Sequence, residues 1–245
     1  MKKLILLLLV IASFLPLVNA QLWTLRRLEV GGGPGTTQFY GDIGGFSKGK
    51  NVIGLKDFTF LHTRWNFNAN ARYRIFHNVS VRANFNFGVF RSTDDRGSNE
   101  TRGLASSTLF YEPSVMGEFY YLKNKGENSY LLIRGKKPFQ TLISMMDCYV
   151  FAGFGGISYN VKPNDKLSTF PTQKSGFAPV IPMGLGVSVV YRRDVSLGME
   201  LGGRIPFSDN LEGYTSVYSK ANDIYYFFNF TVTYKIKLGN ASPTF

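Results

Sequence analysis

From Arg64 to Ile75 polar and apolar residues alternate without a break. Arg64, Asn66, Asn68, Asn70, Arg72 and Arg74 make one set, and Trp65, Phe67, Ala69, Ala71, Tyr73 and Ile75 the other. Successive side chains on a strand face opposite ways, so the pattern predicts a strand with one wet and one greasy face. After the short Phe76-His77-Asn78 the alternation resumes. Val79, Val81, Ala83, Phe85, Phe87 and Val89 interleave with Ser80, Arg82, Asn84, Asn86 and Gly88. Two such runs around a tight connection predict an antiparallel hairpin. Strands of soluble domains run about 5–6 residues, whereas tilted strands that cross a bilayer need about 9–11. These arms meet the second requirement.

The same period recurs toward the C-terminus. Leu185, Val187, Val189 and Tyr191 alternate with Gly184, Gly186, Ser188 and Arg192, and past Arg192-Arg193-Asp194 the residues Val195, Leu197, Met199, Leu201 and Ile205 alternate with Ser196, Gly198, Glu200, Gly202 and Arg204. A last run sets Ile224, Tyr226, Phe228, Phe230, Val232, Tyr234 and Ile236 against Tyr225, Phe227, Asn229, Thr231, Thr233, Lys235 and Lys237. Weaker runs are the glycine-rich Leu28 to Tyr40, Leu109 to Leu122 with Glu112, Ser114 and Glu118 on its polar side, and Asp147 to Val161 with Tyr149, Phe151, Ile157 and Tyr159. Pro113 and Pro182 interrupt two of the predicted strands. About eight segments result, the smallest even number for bacterial membrane barrels.

Connections alternate as well. Short turns at residues 76–78 and 192–194 face long polar links at Gly41–Asp57, Arg91–Ser106, Lys162–Pro179 and Pro206–Asn222. Short periplasmic turns and long external loops are the rule for outer-membrane barrels. The link Lys123 to Met146 departs from it, being long, basic (Lys123, Lys125, Arg134, Lys136, Lys137) and punctuated by Tyr130-Leu131-Leu132-Ile133. Lys2 and Lys3, the apolar run Leu4 to Leu17 and the small residues up to Ala20 have the layout of a secretory signal peptide. The expected architecture is therefore all-β: a cleaved signal peptide at 1–20, then an eight-stranded antiparallel transmembrane β-barrel over 21–245, placed in the outer membrane among its lipids. A soluble lipocalin-like barrel also alternates. Against it, the Arg/Asn face of 64–74 suits the packed interior of a narrow barrel.

Buried arginines need carboxylates. Lumen ion pairs are expected from Arg64, Arg72, Arg82 and Arg204 with Glu112, Glu118 and Glu200. The formal charge of +12 would raise nucleic acid as a partner in a cytosolic protein. Export points instead to lumen pairs, anionic head groups or an acidic protein. Cys148 is the single cysteine, so no internal disulfide is possible. His62 and His77 lack metal-ligand spacing, and no Gly-x-Ser-x-Gly elbow occurs. Asp94-Asp95 and Asp209 to Glu212 are loop acids that read as turn-making and solvated, with divalent-ion binding as the alternative. Gly31-Gly32-Gly33 lacks the helix that a phosphate cradle requires. No catalytic residue, metal or cofactor is expected.

Several short motifs carry a resemblance. Tyr40-Gly41-Asp42, Asp94-Asp95 ahead of Glu112, Glu200-Leu201-Gly202-Gly203-Arg204, Phe207-Ser208-Asp209-Asn210-Leu211-Glu212-Gly213 and Asn222-Asp223-Ile224-Tyr225 together resemble the PorG-like outer-membrane barrel family. Departures fall at Asn210, Glu212 and Ile224, where that family more often has Tyr, Asp and Trp. The resemblance implies a component of the type IX protein secretion system, associated with a periplasmic ring lipoprotein and its partner. The implied docking region is the basic link, through Lys123, Lys125, Arg134, Lys136 and Lys137, with an intermolecular disulfide at Cys148 as a further expectation. The alternatives are a small channel or apolar-ligand transport barrel, and an outer-membrane enzyme.

Overall fold

The computed structural model describes residues 26–44, 60–95, 100–124, 145–192, 194–216 and 222–237. Residues 1–20, and with them the signal-peptide expectation, lie outside that set. Eight strands follow in order: β1 (Leu28–Tyr40), β2 (Arg64–Phe76), β3 (Val79–Thr93), β4 (Ala105–Leu122), β5 (Met146–Pro163), β6 (Ser175–Arg192), β7 (Val195–Pro206) and β8 (Ile224–Ile236). Each pairs antiparallel with its sequence neighbours, and β1 also pairs with β8, from Leu28↔Ile236 to Tyr40↔Ile224. The sheet is a closed barrel without edges. One turn of helix, α1 (Asp165–Ser168), sits in the β5–β6 loop, capped by the Asn164 side chain.

Pro34, Pro113 and Pro182 are accommodated inside strands because each meets a gap in one ladder. The β1–β8 pairing passes over Pro34, β4–β5 over Pro113 and β5–β6 over Pro182. A proline without an N–H costs the sheet one bond at each place. Strands β4, β5 and β6 run to 18 residues each, beyond what a crossing needs. The sequence pattern ended β3 at Phe90 and began β4 at Leu109, but pairing continues through Arg91↔Ser107 to Thr93↔Ala105. On these extensions the outward residues turn polar: Arg91, Ser107, Ser158, Asn160 and Lys162. The strands therefore carry on past the apolar belt on the long-loop side.

Within the belt the outward face is apolar. Trp65, Phe67, Tyr73, Phe85, Val115, Phe119, Phe154, Leu185, Leu201, Phe230 and Val232 are all exposed. Aromatic side chains collect at both borders, with Tyr73, Phe119, Tyr121, Tyr191 and Tyr234 toward the short turns and Trp65, Phe177 and Tyr226 toward the long loops. Strand β5 is apolar on both faces, and the structure turns Tyr149, Phe151, Ile157 and Tyr159 into the lumen. Glycines make the room: a Cβ at Gly186 would lie 2.4 Å from the Tyr149 ring, and one at Gly184 2.7 Å from Phe151.

Candidate functional site

The interior is filled in layers. Next to the short turns lies an ion-pair network. Arg72 grips Glu118 with two bonds, Nε at 2.5 Å and Nη2 at 3.0 Å, and donates from Nη1 to Glu29 at 3.1 Å. Arg74 donates to the other oxygen of Glu29 at 2.6 Å. Arg82 pairs with Glu200 and, through Nε, with Glu118 at 3.1 Å. Arg72 and Arg82 are directly opposite on β2 and β3, an arrangement that repels unless carboxylates stand between. Glu118 and Glu200 arrive from β4 and β7 to do this. Tyr120 and Tyr149 donate hydroxyl bonds to Glu118 and Glu200 respectively, and Arg82 lies over the Phe151 ring, 5.0 Å from its centroid.

Asparagines occupy the next layer. Asn68 donates to Asn84 and Asn86, Asn70 to Asn68, and Asn66 to Asn229. Asn86 also reaches Glu112 at 3.1 Å, where Arg204 Nε (3.0 Å) and the Tyr225 hydroxyl (2.6 Å) converge. Above this the lumen is closed by an aromatic plug. Phe90 and Phe110 stack at 4.2 Å, with Phe39, Tyr225 and Phe227 around them.

The long loops form a cap over the plug. Glu212 accepts from the amides of Asp42 (2.6 Å) and Ile43 (2.9 Å), Asp223 from Leu211 (2.9 Å), and Asp42 from Ser216 (2.6 Å). Asp94 accepts from Gly44 and Leu104 and pairs with Arg102 at 3.0 Å, while Arg102 also reaches the Asp42 carbonyl. Gly44 sits at φ +91°, against the His62 ring, where a side chain would be strained as well as crowded. Burial, with Asp223 and Asp42 close by, pushes the Glu212 carboxyl well above the usual range, and burial does the same to Asp223. Asp209 to Glu212, read from sequence as loop acids, thus include a carboxylate that ties two loops together.

The residues expected to form lumen pairs divide. Arg72, Arg82, Arg204, Glu112, Glu118 and Glu200 are buried and bonded as described. Arg64 stands apart: it opens β2 at the mouth of the barrel, its guanidinium donates to the Thr63 carbonyl at 2.6 Å, and among the described residues no carboxylate pairs with it. Glu29, Arg74, Tyr120 and Tyr149 belong to the network but were missed. The signal for Glu29 was present, as it lies on the glycine side of β1 and the glycines leave the space its partners cross.

Lys123 is not a free docking cation. Its ammonium is held by Asp147 at 2.8 Å and lies 4.0 Å from the Tyr120 ring centroid, with the side chain 6% exposed. Burial lowers its pKa to about 8. It closes the barrel base, with the Asn124 amide donating to the same Asp147. Lys125, Arg134, Lys136 and Lys137 lie outside the described residues. Cys148 is on the outward face at the start of β5, opposite Leu122 and Val187, and is buried. A thiol so covered reaches a partner's cysteine only if its cover moves aside.

An apolar exterior around a polar, side-chain-filled interior, in a closed antiparallel barrel, is the arrangement that satisfies every backbone group within a bilayer. The chain is a β-barrel of the bacterial outer membrane. No protein-family model matches the sequence, and no curated protein does. Among solved structures, the chain is similar to Neisserial surface protein A (TM-score 0.47, 10% identity, over 85% of this chain and 97% of that one). It is similar also to the attachment invasion locus protein Ail of Yersinia pestis (0.43, 14%, over 85% and 97%) and to the outer membrane protein OprG from Pseudomonas aeruginosa (0.42, 10%, over 86% and 96%).

Proposed function

We propose that this barrel is a non-enzymatic component of the type IX protein secretion system that docks a periplasmic ring lipoprotein and its partner at its short-turn end. The mature barrel in this reading follows a cleaved leader at residues 1–20. One observation carries the proposal. Of the motifs behind the resemblance, Tyr40-Gly41-Asp42 lies 170 residues from Leu211-Glu212-Gly213, whose loop also holds Asn222-Asp223, yet all three meet in one hydrogen-bonded cap. Sequence motifs that build a single structural unit are better support for a shared architecture than the same motifs scattered. The filled lumen supports the structural role over a channel. Among the described residues, the ion-pair layer, the asparagine layer and the aromatic plug fill the lumen with buried side chains.

The docking part of the proposal rests on the long basic link between β4 and β5. The test is co-purification from native membranes with residues 125–144 replaced by a short turn. That replacement leaves Lys123 and Asn124 bonded to Asp147, so the barrel base stays closed. The expected outcome is a folded barrel that no longer carries the ring lipoprotein. Retention of the same partner in the same amount overturns the docking role. Absence of any ring lipoprotein from the unmodified barrel overturns the secretion assignment.

A further inference from the structure

The loop cap contains two carboxylates whose second oxygens find no hydrogen-bond partner among the described residues. Glu212 is 1% exposed and Asp223 2%. One oxygen of each is committed to backbone amides, Glu212 Oε1 to Asp42 and Ile43 and Asp223 Oδ2 to Leu211. Among the described residues, Glu212 Oε2 and Asp223 Oδ1 are buried without a hydrogen-bond partner. Both face the same point. A Cβ at Gly41 would stand 2.6 Å from Asp223 Oδ1 and 2.7 Å from Glu212 Oε2. The two free oxygens are therefore less than twice 2.7 Å apart, across a gap that exists because residue 41 has no side chain. Among the described residues no lysine or arginine pairs with either carboxylate; Arg102, the nearby cation, is spent on Asp94 and the Asp42 carbonyl.

We propose that a divalent cation, calcium by preference, binds in the loop cap between Glu212 Oε2 and Asp223 Oδ1. The donor set is all oxygen, which suits hard cations. Calcium–oxygen bonds of about 2.3–2.6 Å reach oxygens up to about 5.2 Å apart, nearly the whole of that bound. Magnesium, at about 2.0–2.1 Å with strict octahedral demands, reaches only oxygens within about 4.2 Å and tolerates an irregular shell less. The amide bonds to the other oxygens hold each carboxylate in place, so the pair is oriented before the ion arrives. Gly41 and Asp42 are only half buried, which gives the ion a way in and water a place to complete its shell. Among the described residues no three acidic, histidine or cysteine side chains converge on one point. A site with two protein carboxylates is a weak one, with dissociation constants on the order of 10⁻⁴–10⁻³ M as in extracellular calcium modules. The bound ion would tie Glu212, whose other oxygen already holds the β1–β2 loop amides, to Asp223 at the start of β8. This site does not depend on the secretion assignment.

The test uses the full barrel in nonionic detergent, freed of lipopolysaccharide and stripped with chelator, with calcium chloride as the probe. Equilibrium dialysis against radioactive calcium measures binding, and the melting temperature is followed alongside. The unmodified barrel is expected to take up a single calcium saturably, with a rise in melting temperature, and magnesium at equal concentration to compete poorly. Glu212→Gln and Asp223→Asn each remove one charged ligand and should weaken binding by about tenfold or more, because calcium affinity follows the charge count of its ligands. Gly41→Ala keeps both carboxylates but puts a methyl group between them, and should abolish binding while the barrel remains folded by its gel mobility. No saturable calcium on the unmodified barrel overturns the proposal whatever the variants do, and so does calcium binding that all three variants leave unchanged.

Discussion

Arg82→Met is the most demanding test of the lumen. Arg82 is fully buried, pairs with Glu200 and with Glu118 at 3.1 Å, and touches Met116 and the Phe151 ring. Methionine keeps the aliphatic stem and removes the charge. Glu118 still has both bonds from Arg72, so it loses little. Glu200 keeps only the Tyr149 hydroxyl and a distant Arg72 nitrogen at 3.9 Å. The variant therefore strands one buried carboxylate, and breaking a buried pair from one side costs about 3–5 kcal/mol. Relief of the Arg72–Arg82 repulsion across β2 and β3 puts the expectation at the lower end, about 3 kcal/mol. Adding Glu200→Met removes the stranded charge and should recover about 2 kcal/mol or more, since replacing both partners by apolar groups is often neutral. Urea unfolding of the barrel in zwitterionic lipid vesicles, followed by the fluorescence of Trp23 and Trp65 and by heat-modifiable gel mobility, reads both numbers. A single variant within about 1 kcal/mol of the unmodified protein, or a double variant no better than the single, would mean that the pair is wet. The layered interior would then be wrong.

Four further outcomes are expected. Ala71→Arg, in the middle of the outward face of β2, should cost about 2–4 kcal/mol in vesicles, and an unchanged midpoint would move that face out of the lipid. Planar bilayers containing the purified barrel should show no stepwise conductance, because the aromatic plug and the ion pairs fill the lumen; regular single-channel steps would refute this. For Lys123 the folded pKa of about 8 lies below its unfolded value. The unfolded state holds the proton longer, so stability rises with pH from about 8 to about 10.5. That rise should vanish in Lys123→Met, and a rise of equal size in the variant would assign it elsewhere. Cys148 should react with a maleimide far more slowly in the folded barrel than in urea. Equal rates would show the thiol accessible and would reopen an intermolecular disulfide at this position.

Much of this architecture can be read along the chain, because side-chain facing in a strand is local. Trp65, Phe67, Ala69, Ala71, Tyr73 and Ile75 must share one face whatever the rest does, and a run that long suits a bilayer. The same reading located Glu118, Glu200, Arg72 and Arg82 on polar faces. It stopped where local pattern is silent. Strand β5 has apolar residues on both sides, so only closure of the barrel, with Gly184 and Gly186 opposite, decided that Tyr149 and Phe151 turn inward. Pairing across the lumen is likewise a property of the closed sheet. Arg82 and Glu200 are 118 residues apart, and Glu212 meets Asp42 across 170. Lys123 reads as one more exposed cation in a basic link, until the barrel base brings Asp147 and Tyr120 around it. Periodicity settles which way a side chain points; which partner it meets there depends on the stagger at which the strands close.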